Sequence, residues 1–176
     1  MNKVVIFDNF FDNPDQIKDM AYGLEYRKRK ANEFFEGIRS TPLHKIDANF
    51  HQTVCDKILS IYLQEKNYEY NASLFFHQTR KSDLNDTQWL YDRVHQDVAI
   101  LAGIVFLTPN APINCGTQTY KKVENSYIPD IVMGNCYNRL ILYPADRYHS
   151  ACNLFGDSKF NRLTLLFFLN KLKLNH

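Results

Sequence analysis

The run Tyr70-Asn71-Ala72-Ser73-Leu74-Phe75-Phe76-His77-Gln78-Thr79 marks the point where the chain changes character. Aromatic rings crowd it, and flat rings pack well on a pleated surface. From Tyr68 onward, short β-branched and aromatic runs recur between clusters of turn-forming residues. They are Asp92 to His95, Ile100 to Leu107, Thr117 to Tyr120, Arg139 to Tyr143, Tyr148 to Ser150 and Arg162 to Leu169. Thr108-Pro109-Asn110-Ala111-Pro112 breaks one pair of runs, and Pro144-Ala145-Asp146 makes a tight connection before Tyr148. Many short strands separated by turns predict a sandwich or barrel.

Upstream of Tyr68 the periodicity is helical. Lys3 to Phe7 is a short β-rich run, followed by Asp12-Asn13-Pro14, a helix start with proline where no backbone donor is needed. A helix is expected from about Pro14 to Leu24, with Ile17, Met20, Ala21 and Leu24 as its buried stripe. A second is expected from about Phe50 to Gln64, with Val54, Ile58, Ile61 and Tyr62 buried and Asp47 as a cap. The expected fold is mainly β with N-terminal helices (α+β). It is one domain over residues 1–176, with a helical and mixed layer over 1–67 packed on an antiparallel barrel core over 68–170.

Composition agrees with an ordinary globular chain: 45% hydrophobic, 23% charged and 14% aromatic over 176 residues. A net charge of +2 favours neither nucleic acid nor an anionic membrane as partner. The longest apolar stretches, such as Leu163 to Leu169, are too short to span a bilayer. The start of the chain lacks the basic and apolar regions of a signal peptide, so a cytoplasmic location is expected. Cys55, Cys115, Cys136 and Cys152 are widely spaced, and no CxxC pair points to a zinc or redox site.

The chemistry-bearing residues lie in the second half. His95 and Asp97 are two apart, so on an extended segment both side chains project from one face. A barrel can bring a later strand, carrying His149, opposite them. Two imidazoles and a carboxylate on one face of an octahedron leave three adjacent sites open, the arrangement of non-haem iron(II) oxygenases. Arg162 and Thr164, also two apart, begin the last expected strand, with Leu166 and Phe168 continuing their face. A guanidinium binds a carboxylate bidentately and keeps its charge, so an apolar strand that begins with one suits a carboxylate ligand.

The ordered pattern Val94-His95-Gln96-Asp97, Gly116-Thr117-Gln118-Thr119-Tyr120, Arg139-Leu140-Ile141-Leu142-Tyr143, His149 and Arg162-Leu163-Thr164 resembles the 2-oxoglutarate/iron(II) oxygenase superfamily, and most of all its prolyl-hydroxylase-like branch. Glu36-Gly37-Ile38-Arg39-Ser40 is similar to a segment of small phage-associated and bacterial members. The resemblance implies a double-stranded β-helix, a jelly-roll or cupin-like barrel braced by helices. It assigns His95, Asp97 and His149 to Fe(II), Arg162 to the distal carboxylate of 2-oxoglutarate, and Thr164 as its helper. It implies hydroxylation of a C–H bond of a protein side chain, peptide or amino acid, with 2-oxoglutarate decarboxylated to succinate. Two departures stand out. The loop from Ser150 to Asn161 is longer than is common, which leaves the register of Arg162 open. Ile104-Val105-Phe106 also lacks the tyrosine that related enzymes often supply, so Tyr120 or Tyr143 is expected to replace it.

Each reading has a plainer competitor. The histidines could be ordinary core or surface residues, and Arg162 could pair with Asp157. His51 and Cys55 share a helix face, but two potential ligands alone read as packing residues. Arg39, His77 and Trp89 are candidate substrate contacts. Arg27-Lys28-Arg29-Lys30 is a solvated segment, or a phosphate contact if it borders the pocket, the latter favouring an oxygenase of nucleobases or small metabolites. The reading from another class is a catalytically silent, metal-binding barrel that acts as an interaction module.

Overall fold

In the computed structural model, the described residues are 3–175 except 32, 34, 64–66, 82–92 and 158–159. Ten strands and two helices run in the order β1 (Val5–Phe7), α1 (Pro14–Tyr22), β2 (Tyr26–Lys28), β3 (Ile38–Ser40), α2 (Ala48–Tyr62), β4 (Tyr68–Thr79), β5 (Leu101–Phe106), β6 (Thr117–Val123), β7 (Ser126–Met133), β8 (Leu140–Pro144), β9 (Tyr148–Ala151) and β10 (Arg162–Leu174). A short 3₁₀ turn, Leu43–Lys45, precedes α2.

Both helices begin where capping chemistry puts them. The Asn13 side chain accepts from Gln16 N and Pro14 opens α1. The Asp47 side chain accepts from Phe50 N at 2.9 Å, so α2 starts two residues before the expected Phe50. It ends at Tyr62, short of Gln64, which lies outside the described residues. The buried face of α2 is Val54, Cys55, Ile58, Leu59 and Tyr62, with Ile61 only partly covered.

Seven strands form one antiparallel sheet in the order β1-β8-β5-β10-β4-β3-β2, and three form a second in the order β7-β6-β9. β10 lies centrally, paired with β4 along its length and with β5 over Thr164 to Leu169. Alternation along β10 divides the molecule. Leu163, Leu165, Phe167 and Leu169 join α1 and α2 in a helix-side core, while Leu166 and Phe168 join Ala102, Ile104, Phe106, Ile141 and Tyr143 between the sheets. A helix-braced pair of antiparallel sheets is the expected double-stranded β-helix.

Some expectations need correction. Asp92 to His95 is not a described strand: 82–92 lie outside the described residues, and His95 forms an isolated antiparallel bridge to His149. β6 runs past Tyr120 to Val123 and turns through Glu124, at φ +51°, into β7, which had not been expected. Pro129 and Asp130 disguise β7 as a loop, but it is an edge strand, where proline is tolerated. β2 and β3, too short and charged to read as strands, extend the large sheet beside β4. Gly37 makes that approach possible: its φ is +74°, and a Cβ there would lie 2.0 Å from Gln78 O.

Candidate metal centre and cavity

His95 N donates to His149 O at 3.0 Å and His149 N to His95 O at 2.9 Å, which ties the segment carrying His95 to β9. Asp97 N donates to Ala145 O at 2.9 Å, and the Gln96 side-chain amide donates to Asp146 O. These bonds bring His95, Asp97 and His149 together, with one donor atom from each within 4.8 Å of the others.

Both imidazoles are oriented the same way. His95 Nδ1 is 2.8 Å from Arg93 O, and His149 Nδ1 is 2.8 Å from Arg147 O. A carbonyl oxygen only accepts, so each Nδ1 carries the proton and each Nε2 keeps a free lone pair. Those lone pairs face Asp97: His149 Nε2 is 3.2 Å from Oδ2, and His95 Nε2 is 3.7 Å from Oδ1. Two ligands at right angles, each about 2.1 Å from an ion, would stand roughly 3 Å apart. Three acceptors pointed at one another repel unless a cation lies among them, so the donor set fits a divalent metal. Backbone carbonyls behind both rings are the usual outer partners of metal-bound histidines.

Burial works against charge on Asp97, but Arg39 and the two imidazoles, when these carry a second proton in place of a metal, outweigh it and hold the carboxyl below its ordinary range. Burial and the neighbouring His149 push His95 down, favouring the neutral, metal-binding form.

The triad borders a cavity of about 670 Å³, within the usual range of about 300–1,000 Å³ for small-molecule sites. Arg162 lines it from the start of β10 and is 5% exposed. Its Nε donates to Cys115 O at 3.4 Å and its guanidinium lies 5.4 Å from the Phe106 ring. Among the described residues Arg162 makes no ion pair, so the competing pairing with Asp157 does not form. Burial brings its pKa to about 10, which leaves it charged at neutral pH.

Tyr143 lines the same cavity with its ring 4.8 Å from that of His149. Burial holds its phenol far above its ordinary range, so the hydroxyl stays a donor. Tyr120 lies elsewhere: its hydroxyl is 3.0 Å from Ser150 Oγ, its ring packs near Tyr127, and it does not line the cavity. Thr119 is the residue opposite His149, so Tyr120, one along, faces outward with Tyr148. Thr164 shares the face of Arg162, but its hydroxyl donates to His77 O at 3.4 Å and does not border the cavity.

His77 and Arg39 both line the cavity, whereas Trp89 lies outside the described residues. His77 donates from Nε2 to Glu36 O at 2.5 Å, and burial, Arg39 and Arg162 keep it neutral. The expected basic run divides: Arg27 pairs with Glu33 at 2.6 Å, and Arg29 lines the cavity beside Glu36. Thr79 and Thr117 also border the cavity, and each has a buried hydroxyl oxygen without a described partner. Nothing in their local sequence separates them from ordinary strand threonines. His51 and Cys55 are 3.8 Å apart on α2, and no third ligand joins them among the described residues.

The fold is shared with 2-oxoglutarate/iron(II) oxygenases of known structure. HygX from Streptomyces hygroscopicus, solved with nickel and 2-oxoglutarate bound, superposes with a TM-score of 0.61 at 10% identity, over 97% of this chain and 84% of HygX. A prolyl hydroxylase from Trichoplax adhaerens, in complex with a hypoxia-inducible-factor peptide, gives 0.55 at 12% identity, over 97% and 84%. The α-ketoglutarate-dependent epimerase SnoN from nogalamycin biosynthesis gives 0.60 at 10% identity, over 99% and 82%. No curated protein sequence matches significantly. A sequence profile matches residues 1–129, a span that includes His95 and Asp97 and ends before His149 and Arg162. By that match, which covers most of its length, the chain belongs to the family of unknown function DUF6445.

Proposed function

We propose that the protein is an Fe(II)- and 2-oxoglutarate-dependent dioxygenase, an oxidoreductase that hydroxylates a C–H bond of a protein side chain, peptide or amino acid. One observation carries this reading. Two imidazoles with fixed tautomers converge with a carboxylate beside a cavity that also holds a buried arginine with no ionic partner among the described residues.

In this reading His95, Asp97 and His149 hold the iron, and Arg162 anchors the distal carboxylate of 2-oxoglutarate through its two terminal nitrogens. Tyr143 donates a further hydrogen bond to the co-substrate, and Thr164 holds the backbone of β4 beside it. Ala102, Ile104 and Leu166 form an apolar wall that keeps water away from the reacting groups. Bound iron and co-substrate supply the oxidising chemistry: oxygen-dependent decarboxylation to succinate coupled to C–H oxidation. The protein contributes geometry, charge and exclusion of solvent. Residues 1–176 act as one domain, and the four free thiols support a reducing, cytoplasmic setting.

A second reading, an oxygenase of nucleobases or small metabolites, is favoured by Arg29, which brings the basic segment to the cavity rather than behind the sheets. A catalytically silent barrel is disfavoured because it needs neither an open metal face nor, beside it, a buried arginine that has no ion pair among the described residues.

The reading is tested by incubating the protein in air with Fe(II) and 2-oxoglutarate and measuring succinate by mass spectrometry. Wild type is expected to form succinate and Asp97→Ala is not. Equal traces from both proteins would refute the assignment.

A further inference from the structure

The cavity holds a second arginine that the metal and co-substrate do not need. Arg39 lines it from β3, held in place by Gly37 two residues earlier and by pairing with His77. Its guanidinium lies 4.1 Å from the Phe35 ring and 5.8 Å from the rings of Phe75 and Phe168. Stacking of this kind holds the guanidinium flat and leaves its in-plane donors free. Its Nε is buried without a hydrogen-bond partner among the described residues, a costly arrangement unless a ligand completes it.

Among the described residues, the acidic groups around Arg39 are committed elsewhere. Glu33 is held by Arg27 at 2.6 and 2.7 Å, and Glu36 by Arg93 at 2.7 Å. Both oxygens of Asp97 face histidines. Charge balance points the same way. A divalent ion with Asp97, and dianionic 2-oxoglutarate with Arg162, sum to zero and leave the charge of Arg39 unmatched.

We propose that Arg39 is the specificity-determining residue for the substrate and narrows it to a small carboxylic acid of the free amino-acid kind: the guanidinium takes the carboxylate, and the apolar body packs against Phe168 and Leu166. This rests on the oxygenase reading and deepens it. A single guanidinium matches a monoanionic carboxylate in charge and in bidentate geometry, and the aromatic walls around it suit a hydrocarbon stem.

The test uses anaerobic protein loaded with Fe(II) and saturating 2-oxoglutarate, so that Arg162 and the metal are occupied. Hexanoate, hexanamide and hexyl phosphate are then titrated, with binding read from protein-observed NMR shifts and from perturbation of the visible band of the iron–oxoacid chelate. Hexanoate is expected to bind wild type at least tenfold more tightly than hexanamide. Arg39→Gln should weaken hexanoate at least tenfold, Arg39→Lys should lie between, and neither should change 2-oxoglutarate affinity more than about twofold. An intact chelate band in Arg39→Gln shows that the variant is folded and loaded. Equal hexanoate binding by wild type and Arg39→Gln, or no hexanoate binding by wild type, overturns the proposal. Preference for hexyl phosphate replaces the carboxylate with a phosphate and also overturns it. Loss of 2-oxoglutarate in Arg39→Gln assigns the residue to the co-substrate instead. Absence of the chelate band in wild type is a different failure, that of the oxygenase reading itself.

Discussion

Replacing Arg162 with methionine separates co-substrate binding from metal binding and from folding. The side chain is 5% exposed, and its only described hydrogen bond is from Nε to Cys115 O, which leaves both terminal nitrogens for a ligand. Truncating one partner of a buried, hydrogen-bonded charge pair costs about 2–5 kcal/mol. At about 1.4 kcal/mol per factor of ten, the Kd for 2-oxoglutarate should rise roughly 30- to 4,000-fold. Fe(II) affinity should stay near wild type, because His95, Asp97 and His149 are untouched. Stability of the metal-free protein should hold or rise, since the variant removes an isolated buried charge and puts a side chain of similar length in its place. The assays are anaerobic titration of 2-oxoglutarate into the Fe(II) protein and urea unfolding in the presence of chelator. If the variant binds 2-oxoglutarate within threefold of wild type while holding iron normally, another residue grips the distal carboxylate and the register across residues 150–161 has been misjudged.

Other perturbations probe the remaining parts. On the proposed assignment His149→Ala removes a ligand rather than an outer partner, so Fe(II) affinity measured by competition with a chromophoric chelator should fall beyond the 10- to 100-fold typical of outer partners, with 2-oxoglutarate lost as well. His77 is held neutral by burial, Arg39 and Arg162, whereas the unfolded chain takes up a proton at its ordinary pKa near 6.5. Below that pH the unfolded state binds more protons, so stability falls as pH falls, by up to about 1.4 kcal/mol per unit. Urea unfolding at pH 7, 6 and 5 should show the gap between wild type and His77→Gln closing toward acid, and a constant gap would contradict the shift. Phe167, 1% exposed in the helix-side core, should cost about 3–5 kcal/mol when changed to alanine, whereas Phe168→Ala, at the cavity wall, should cost markedly less.

These effects differ in how far the sequence foretold them. The polar pair Arg162 and Thr164 marked one face of β10, so Leu166 and Phe168 were expected on the side of the metal ligands, where both line the cavity. The His95 and Asp97 spacing and the place of His149 on a later strand foretold the converging donors. Tyr120 and Tyr143 could not be told apart, since which face each meets depends on a cross-strand register that only pairing with β9 and β5 sets. β2 and β3 escaped notice because Tyr26-Arg27-Lys28 and Ile38-Arg39-Ser40 become strands by pairing at the sheet edge rather than by propensity. Arg39 could be named only as a candidate substrate contact on an expected loop, because its strand pairing and its place over Phe35 are tertiary facts.

The central claim is that three side chains and Arg162 together hold iron and an oxoacid, and one titration tests it most directly. Fe(II) is added anaerobically to the metal-free protein, followed by 2-oxoglutarate, while the visible spectrum is recorded. A weak charge-transfer band should grow to one equivalent of 2-oxoglutarate and should not form in His149→Ala. Folded, iron-loaded protein that shows no such band at saturating 2-oxoglutarate would contradict it.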